Sequence, residues 1–270
     1  MKTAFMPVPV VLRLGVLILL VLASCTKAPQ ETAIMANQNG EENASREGVE
    51  MPTDEFAKAR EKMVADQLVG RDIVDERVLA AMRQIPRHEF VPGDLRALAY
   101  ADSPLPIGRG QTISQPYIVA LMTQLVDPQP QQKALDVGTG SGYQAAVLAE
   151  LTKHVYSIEI VESLSNEARD RLQKLGYKNV TVRHGDGYHG WPSEAPFDVI
   201  IVAAAPDHIP QALIEQLAPG GKMVIPVGEG YQTLMTVEKD QNGKITKREI
   251  IPVAFVPMTG DATESGDVNE

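Results

Sequence analysis

A glycine-rich loop is the part of this sequence best suited to hold a small-molecule ligand. It reads DVGTGSG at residues 136–142, where an apolar strand pattern turns into a helical one. Glycines let the backbone approach a ligand closely, and the amino terminus of a helix offers unpaired N–H groups. A dinucleotide-binding loop has the spacing G-x-G-x-x-G. Here the third glycine, Gly142, comes one position earlier, so the spacing excludes that pattern.

This compact acidic-x-G-x-G-x-G form resembles the first motif of class I methyltransferases. The resemblance implies S-adenosylmethionine as cofactor, which carries a methionine moiety and no pyrophosphate. Glu159 ends the next predicted strand, where an acidic residue can accept hydrogen bonds from a ribose diol. Asp186 and Gly187 follow the third predicted strand, near the expected adenine edge, and a solvated loop position is the alternative for each acid. Tyr188 and Trp191 either wall the adenine site or cap the core.

A segment before the glycine loop makes the resemblance more specific. It reads YADSPLPIGRGQTISQP at residues 100–116 and is very similar to the segment that marks protein-L-isoaspartate O-methyltransferases. The match continues in DERVLAAM (75–82), PRHEFVP (86–92), residues 135–148, PFDVIIV (196–202) and GGKMVIPVG (220–228). The resemblance covers nearly all of residues 56–260. It implies methylation of the carboxylate of L-isoaspartyl residues in damaged proteins, with D-aspartyl residues as a further candidate.

The resemblance also implies individual site residues. Ser114 matches the active-site serine, and Thr112 and Ile113 share its substrate and cofactor loop. Thr259 matches a site position near the carboxyl terminus. The expected cofactor contacts are Asp136, Gly138, Thr139, Gly140, Gly142, Glu159, Asp186 and Gly187.

The implied reaction needs no general base. A carboxylate with a reference pKa near 4 is already ionised at neutral pH, so it can attack a sulfonium methyl group directly. We predict that the Ser114 hydroxyl and nearby backbone N–H groups orient this carboxylate, and that the gain is proximity and alignment. Ser114 shortly before Pro116 is also a helix N-cap signal, so a capping role stays open.

The elements that must position these residues alternate along the chain. Helical spacing predicts helices at 54–70 and 75–84, and prolines exclude long regular structure from 86 to 107. Later strands are predicted at 133–137, 154–160, 180–184, 197–202 and 222–227, with helices at 142–151, 162–175 and 208–217. Continuous apolar strands alternating with helices indicate a parallel sheet covered on both faces. We therefore predict a doubly wound Rossmann-like α/β fold with an N-terminal helical extension and a terminal antiparallel hairpin at 233–238 and 245–255.

Composition limits the partners. The formal net charge of −10 argues against a nucleic-acid partner, because phosphate binding needs clustered Lys and Arg. Isoaspartyl-containing proteins are the expected partners of a monomeric enzyme. No histidine pair has metal-ligand spacing, so no metal is expected. The five histidines, all interpreted as structural, are His88, His154, His184, His189 and His208.

The amino terminus has the features of an export signal. Lys2 and Arg13 precede an apolar run at 14–23, too short to span a bilayer, and LASC at 22–25 resembles a bacterial lipoprotein processing box. Cys25 is therefore the predicted lipidation site, and the lipid would be the only membrane attachment. Residues 26–53 are predicted to be a flexible linker and 261–270 a disordered tail. Between them, 54–260 form the catalytic domain, divided into an extension with the substrate loop (54–116) and the core (117–260).

Two other functions stay open at this point. One is methylation of a different carboxylate, and the other is a non-catalytic lipoprotein that keeps the fold as a binding module. The predicted location is the periplasm, as an exported, membrane-anchored lipoprotein. The cytoplasm is the alternative, because S-adenosylmethionine is made there and the family usually occurs there.

Overall fold

The computed structural model describes residues 53 to 263, which begin with two helices and a short hairpin. Helix α1 (Thr53–Met63) continues as a π-helical turn (Val64–Val69), and α2 (Glu76–Gln84) follows. The Asp75 carboxylate caps α2 by accepting a hydrogen bond from Arg77 N. Both predicted helices are confirmed. The proline-rich part contains 3₁₀ turns, and strands β1 (Leu105–Gly108) and β2 (Gln111–Ile113) pair there. This hairpin was not predicted, because its strands are too short to show a periodic pattern.

The remaining elements build one mixed sheet of seven strands. After α3 (Pro116–Val126), the strands are β3 (Lys133–Val137), β4 (His154–Glu159), β5 (Val180–His184), β6 (Phe197–Val202), β7 (Leu217–Val227), β8 (Gln232–Lys239) and β9 (Ile245–Val253). The intervening helices are α4 (Tyr143–Ala149), α5 (Glu162–Lys174) and α6 (Gln211–Gln216). The spatial order is β5-β4-β3-β6-β7-β8-β9, parallel as far as β7 and antiparallel in the last two pairings. The predicted fold class is confirmed.

Several element boundaries differ from the prediction by one to five residues, and three of them have a local structural reason. Strand β7 begins at Leu217 because Leu217 already pairs with Phe197. Helix α6 begins only after Pro210. Strand β9 ends at Val253, beyond which the Gln232 side chain bonds both the N–H and the carbonyl of Phe255.

Strand β3, in the interior of the sheet, buries both of its faces. Leu135 and Val137 of β3 point into one apolar cluster, whereas Ala134 points into the other. The N-terminal extension joins the second cluster through buried Phe56 and Phe90. Because β3 connects to β4 on one side and pairs with β6 on the other, the direction of winding reverses between β3 and β6. Ligands of open α/β sheets bind at this point, outside the carboxyl ends of the strands.

The carboxyl-terminal boundary at 260 was predicted too early. Gly260–Ala262 form a 3₁₀ turn, and Ala262 is only 6% exposed. The turn is fixed because Asp261 N donates to Asp186 Oδ2 at 2.9 Å. The export signal, its Cys25 and the linker lie outside the described residues. Within residues 53–263, no helix has the length and apolar character needed to cross a membrane.

Candidate active site

A cleft of about 790 Å³, including its open mouth, lies at the carboxyl ends of the central strands. Its walls come from the β2 segment, the glycine loop after β3, the end of β4 and the loops after β5 and β6. Nine of the predicted site residues line it: Thr112, Ile113, Ser114, Gly138, Thr139, Gly140, Glu159, Gly187 and Thr259. The fold thus brings the expected cofactor loop and the expected substrate loop to one place.

The glycine loop takes a backbone shape that favours glycine. Gly138, Gly140 and Gly142 have φ values of 91°, 51° and 88°, in the left-handed region. Gly138 N donates to Ile158 O at 2.9 Å, which holds the loop against the end of β4. The glycines are therefore required by the turn itself as well as by close approach of a ligand.

Glu159 is the carboxylate of the cleft wall. Its Oε2 accepts from Gly140 N at 2.7 Å and its Oε1 from Val161 N at 2.9 Å, so the side chain is fixed in place. Each carboxylate oxygen has a second lone pair, which leaves capacity to accept a diol. Among the described residues that line the cleft there is no Lys, Arg or His. A cleft with one carboxylate and no cationic side chain among its described residues suits a cationic ligand.

Asp136 does not line the cleft, although it was predicted as a cofactor contact. It is fully buried, and Ser157 Oγ donates to its Oδ2 at 2.7 Å. Ser157 Oγ also lies 2.5 Å from Thr139 Oγ1, whose residue does line the cleft. Burial raises the pKa of Asp136 to about 7, with the nearby Glu159 charge adding to the effect. The structure thus places Asp136 behind the glycine loop, at the end of a chain of hydroxyls.

Two other predicted contacts, Asp186 and Gly142, are not among the residues that line the cleft. Asp186 Oδ1 accepts from Tyr188 N at 2.8 Å and its Oδ2 from Asp261 N, so its carboxylate ties the loop after β5 to the last turn. Gly142 is the N-cap of α4, and a side chain there would meet Leu172. Gly187 does line the cleft, and a Cβ on it would lie 2.5 Å from Val137 Cγ1.

Ser114 stands between two cavities. A second cavity of about 950 Å³ shares Thr112, Ser114, Ala203 and Val256 with the first and continues toward β9. Within the described part of the chain, no group hydrogen-bonds the Ser114 hydroxyl. The alternative capping role was wrong, because Gln115 is the N-cap of α3 and the helix has no side-chain cap. The hydroxyl is therefore available to a ligand.

Some residues that line the cleft were not predicted from the sequence. Ala203 and Ala204 follow β6, and Val256, Pro257 and Met258 precede Thr259. The two alanines could have been found, because β6 was predicted and the ends of parallel strands meet at one edge. The other three come there through a pairing of Pro257 with Ala205, which no local pattern reveals.

The aromatic and histidine residues after β5 lie beside the cleft. Trp191 is 7% exposed and packs against Tyr156, so it caps the core. His189 Nε2 lies 2.6 Å from Asp261 Oδ2, and with Asp186 these groups place three potential ligand atoms within 4.8 Å of one another. His189 and Asp261 are exposed and already paired, so the contact is interpreted as a link between the last turn and the loop after β5.

Comparison with known proteins decides the family. The model of the family described as protein-L-isoaspartate(D-aspartate) O-methyltransferase matches residues 58–263. A protein from a Polaromonas species, named protein-L-isoaspartate O-methyltransferase 2, is 62% identical over 193 residues, which are 71% of this chain and 92% of that protein. The chain belongs to this methyltransferase family. A Syntrophobacter fumaroxidans protein of the same name is 55% identical over 218 residues, covering 77% of this chain and 88% of that protein.

Solved structures of the methyltransferase family have the same fold. A protein-L-isoaspartate O-methyltransferase structure superposes with a TM-score of 0.68 at 28% identity, covering 75% of this chain and 67% of that one. A putative Plasmodium falciparum enzyme, solved in complex with S-adenosyl-L-homocysteine, gives a TM-score of 0.65 at 28% identity over 74% of this chain and 98% of that one. These findings confirm the predicted family and the prediction that the chain is a methyltransferase.

Proposed function

We propose that this chain transfers a methyl group from S-adenosylmethionine to the free carboxylate of L-isoaspartyl residues in damaged proteins. The product is a methyl ester, which loses methanol to form a succinimide and can then reopen as normal aspartate. The observation that carries the proposal is the junction of the two cavities at Ser114, beside a cleft whose described lining residues include one carboxylate, that of Glu159, and no cationic side chain.

The cofactor belongs in the cleft of the glycine loop. S-adenosylmethionine supplies a methyl group bonded to a positively charged sulfur. Glu159 accepts the ribose hydroxyls, since its oxygens are held by Gly140 N and Val161 N and keep free lone pairs. Apolar Ile158 and Ile160 and the bare backbone of Gly187 suit the flat face of an adenine.

The acceptor carboxylate belongs on the Ser114 side. The cavity toward β9 leads from the protein surface to Thr112 and Ser114, which a peptide substrate must reach. The Ser114 hydroxyl donates to one carboxylate oxygen and so orients the other toward the cofactor cleft. No proton has to be removed from a carboxylate at neutral pH, which agrees with a cleft wall that has no histidine among the described residues. Positioning is then the main contribution of the protein.

A methyl-transfer assay with matched peptides tests this function. Labelled S-adenosylmethionine is supplied with peptides that differ only in having L-isoaspartate, D-aspartate or L-aspartate at one position. We expect base-labile label on the isoaspartyl peptide and none on the L-aspartyl peptide. Equal labelling of both would refute the substrate assignment, and binding of S-adenosyl-L-homocysteine without transfer to any peptide would indicate a binding module.

The role of Ser114 is tested by Ser114→Ala beside Ser163→Ala. Ser163 carries a hydroxyl that accepts from Arg109 Nε at 3.1 Å and lies outside the cleft wall. Loss of a positioning hydrogen bond predicts a fall of about 10-fold in kcat/KM for Ser114→Ala. Equal values for the two variants would remove Ser114 from the mechanism.

The chain also acts, in this proposal, as an exported lipoprotein monomer anchored through Cys25. Support comes from the apolar run at 14–23 and the LASC sequence, and from a family match that begins only at residue 58. Cys25→Ser should abolish incorporation of labelled palmitate and release the enzyme from the membrane fraction. Degradation by protease added to intact spheroplasts supports export, whereas protection of the enzyme supports the cytoplasm. Light scattering of the enzyme lacking residues 1–52 would measure its oligomeric state.

A further inference from the structure

Arg87 is a buried cation directly behind the substrate loop. It is 0% exposed and the largest fully buried side chain of the described residues, where no acidic group forms an ion pair with it. Burial lowers the pKa of Arg87 to about 10, so the guanidinium remains charged at neutral pH. A buried charge without a counter-ion costs stability. A packing role, which an apolar side chain would fill better, does not explain this residue.

The hydrogen bonds of Arg87 hold the backbone at Ser114. Arg87 Nη2 donates to Ser114 O at 2.7 Å, and Arg87 Nε donates to Ala99 O at 2.7 Å. The guanidinium is a rigid planar fork, so it fixes the two carbonyl groups relative to each other. Its Nη1 has no hydrogen-bond partner among the described residues. Arg87 thus ties the turn at Ala99 to the residue that we place at the acceptor carboxylate.

Arg87 also contacts the element that follows the cofactor loop. Its Cζ lies 4.8 Å from the centroid of the Tyr143 ring. Tyr143 is the first residue of α4, directly after the glycine loop, and it lines the cleft. One side chain therefore joins the backbone that carries Ser114 to the helix that supports the cofactor site.

We propose that Arg87 is a positioning residue, which sets the separation and alignment of the acceptor loop at Ser114 relative to the cofactor cleft, and whose charge favours an anionic acceptor there. This inference rests on the proposed function, because the acceptor is the isoaspartyl carboxylate. In-line transfer of a methyl group is sensitive to alignment, and displacement of a reacting group by about 1 Å can cost about 100-fold in rate.

Three variants separate positioning from folding. Arg87→Met removes the fork and the charge, and Arg87→Lys keeps the charge without the planar fork. Ile85→Ala is the matched control, since Ile85 is equally buried in the same extension and has no polar group to hold Ser114. The measurements are thermal stability, calorimetric titration with S-adenosyl-L-homocysteine, and kcat and KM for an isoaspartyl peptide per cofactor-binding site.

We expect Arg87→Met to bind S-adenosyl-L-homocysteine within about threefold of the wild type while kcat per binding site falls about 100-fold and the peptide KM rises. Arg87→Lys should regain about 10-fold of this loss. Ile85→Ala should lower stability only. A kcat of Arg87→Met within about twofold of the control, or a loss of cofactor binding that accounts for the lost rate, would overturn the inference.

Two further outcomes are also decisive. If Arg87→Met does not fold, Arg87→Lys carries the test, because an unchanged kcat in that variant overturns the inference and a 10-fold fall with normal cofactor binding supports it. A wild-type enzyme that methylates no isoaspartyl peptide refutes the proposed function instead. If the wild type is active and the Arg87 variants have an unchanged kcat, only the role of Arg87 is refuted.

Discussion

Asp136 gives this enzyme a stability that should fall as the pH rises. Burial raises the pKa of Asp136 to about 7 in the folded protein, from an ordinary value of 3.8. Between these two values the unfolded chain has lost the proton and the folded chain still holds it, so rising pH favours unfolding. Above pH 7 the carboxylate is ionised in both states and the dependence ends. A difference of about 3 pKa units corresponds to about 4 kcal/mol.

The variant Asp136→Asn isolates this contribution, because the amide has nearly the same shape and does not titrate. Urea unfolding of the cofactor-free protein is measured at pH 5 and pH 8 for both proteins. The pH dependence that does not come from Asp136 cancels in this comparison, so the free energy of unfolding of Asp136→Asn relative to the wild type should rise by about 3 kcal/mol between these pH values. The Ser157 hydrogen bond lowers the pKa of Asp136, so Ser157→Ala should extend the fall to higher pH. Parallel pH dependences of wild type and Asp136→Asn would refute this account of the buried carboxylate.

Three other predictions concern the supports of the cleft. Gly187→Ala should destabilise the enzyme by about 1–3 kcal/mol and weaken S-adenosyl-L-homocysteine binding, because the added Cβ would meet Val137 Cγ1. The control is Gly93→Ala, whose Cβ meets nothing within 4 Å and which should change neither urea unfolding nor calorimetric titration. Gln232→Ala should lower the free energy of unfolding in urea by about 1–3 kcal/mol, since the N–H and the carbonyl of Phe255 both lose their partner. The control is Gln211→Ala, which loses only an exposed hydrogen bond to Glu215, and an equal effect in both variants would contradict the prediction. Asp186→Ala frees Tyr188 N and Asp261 N, and calorimetry should detect weaker S-adenosyl-L-homocysteine binding; unchanged affinity would show that these bonds do not shape the site.

Local patterns were sufficient for much of the fold and of the site. The strands β3, β5 and β6 were predicted to the residue. β3 and β6 lie inside the sheet and are largely apolar runs, whereas β5 lies at the sheet edge, where apolar and polar residues alternate. The glycine loop was found for a similar reason, since left-handed turns require glycine at particular positions. Because parallel strands end at the same edge, the approximate site followed from the order of the elements.

Contacts between distant parts of the chain decided the remainder. The acidic side chains Asp136 and Asp186 have motif positions typical of ligand contacts, yet neither lines the cleft, and they hydrogen-bond Ser157 Oγ and Asp261 N instead. The hairpin at 105–113 and the return of residues 256–259 to the cleft depend on pairings that leave no periodic signal. The sequence by itself therefore determined the family, the fold, and the two loops that meet at the cleft, namely the glycine loop and the loop that carries Ser114. Tertiary structure alone decided which side chains face the cleft and that Arg87 lies behind Ser114, because burial and hydrogen bonding depend on neighbours far away in the chain.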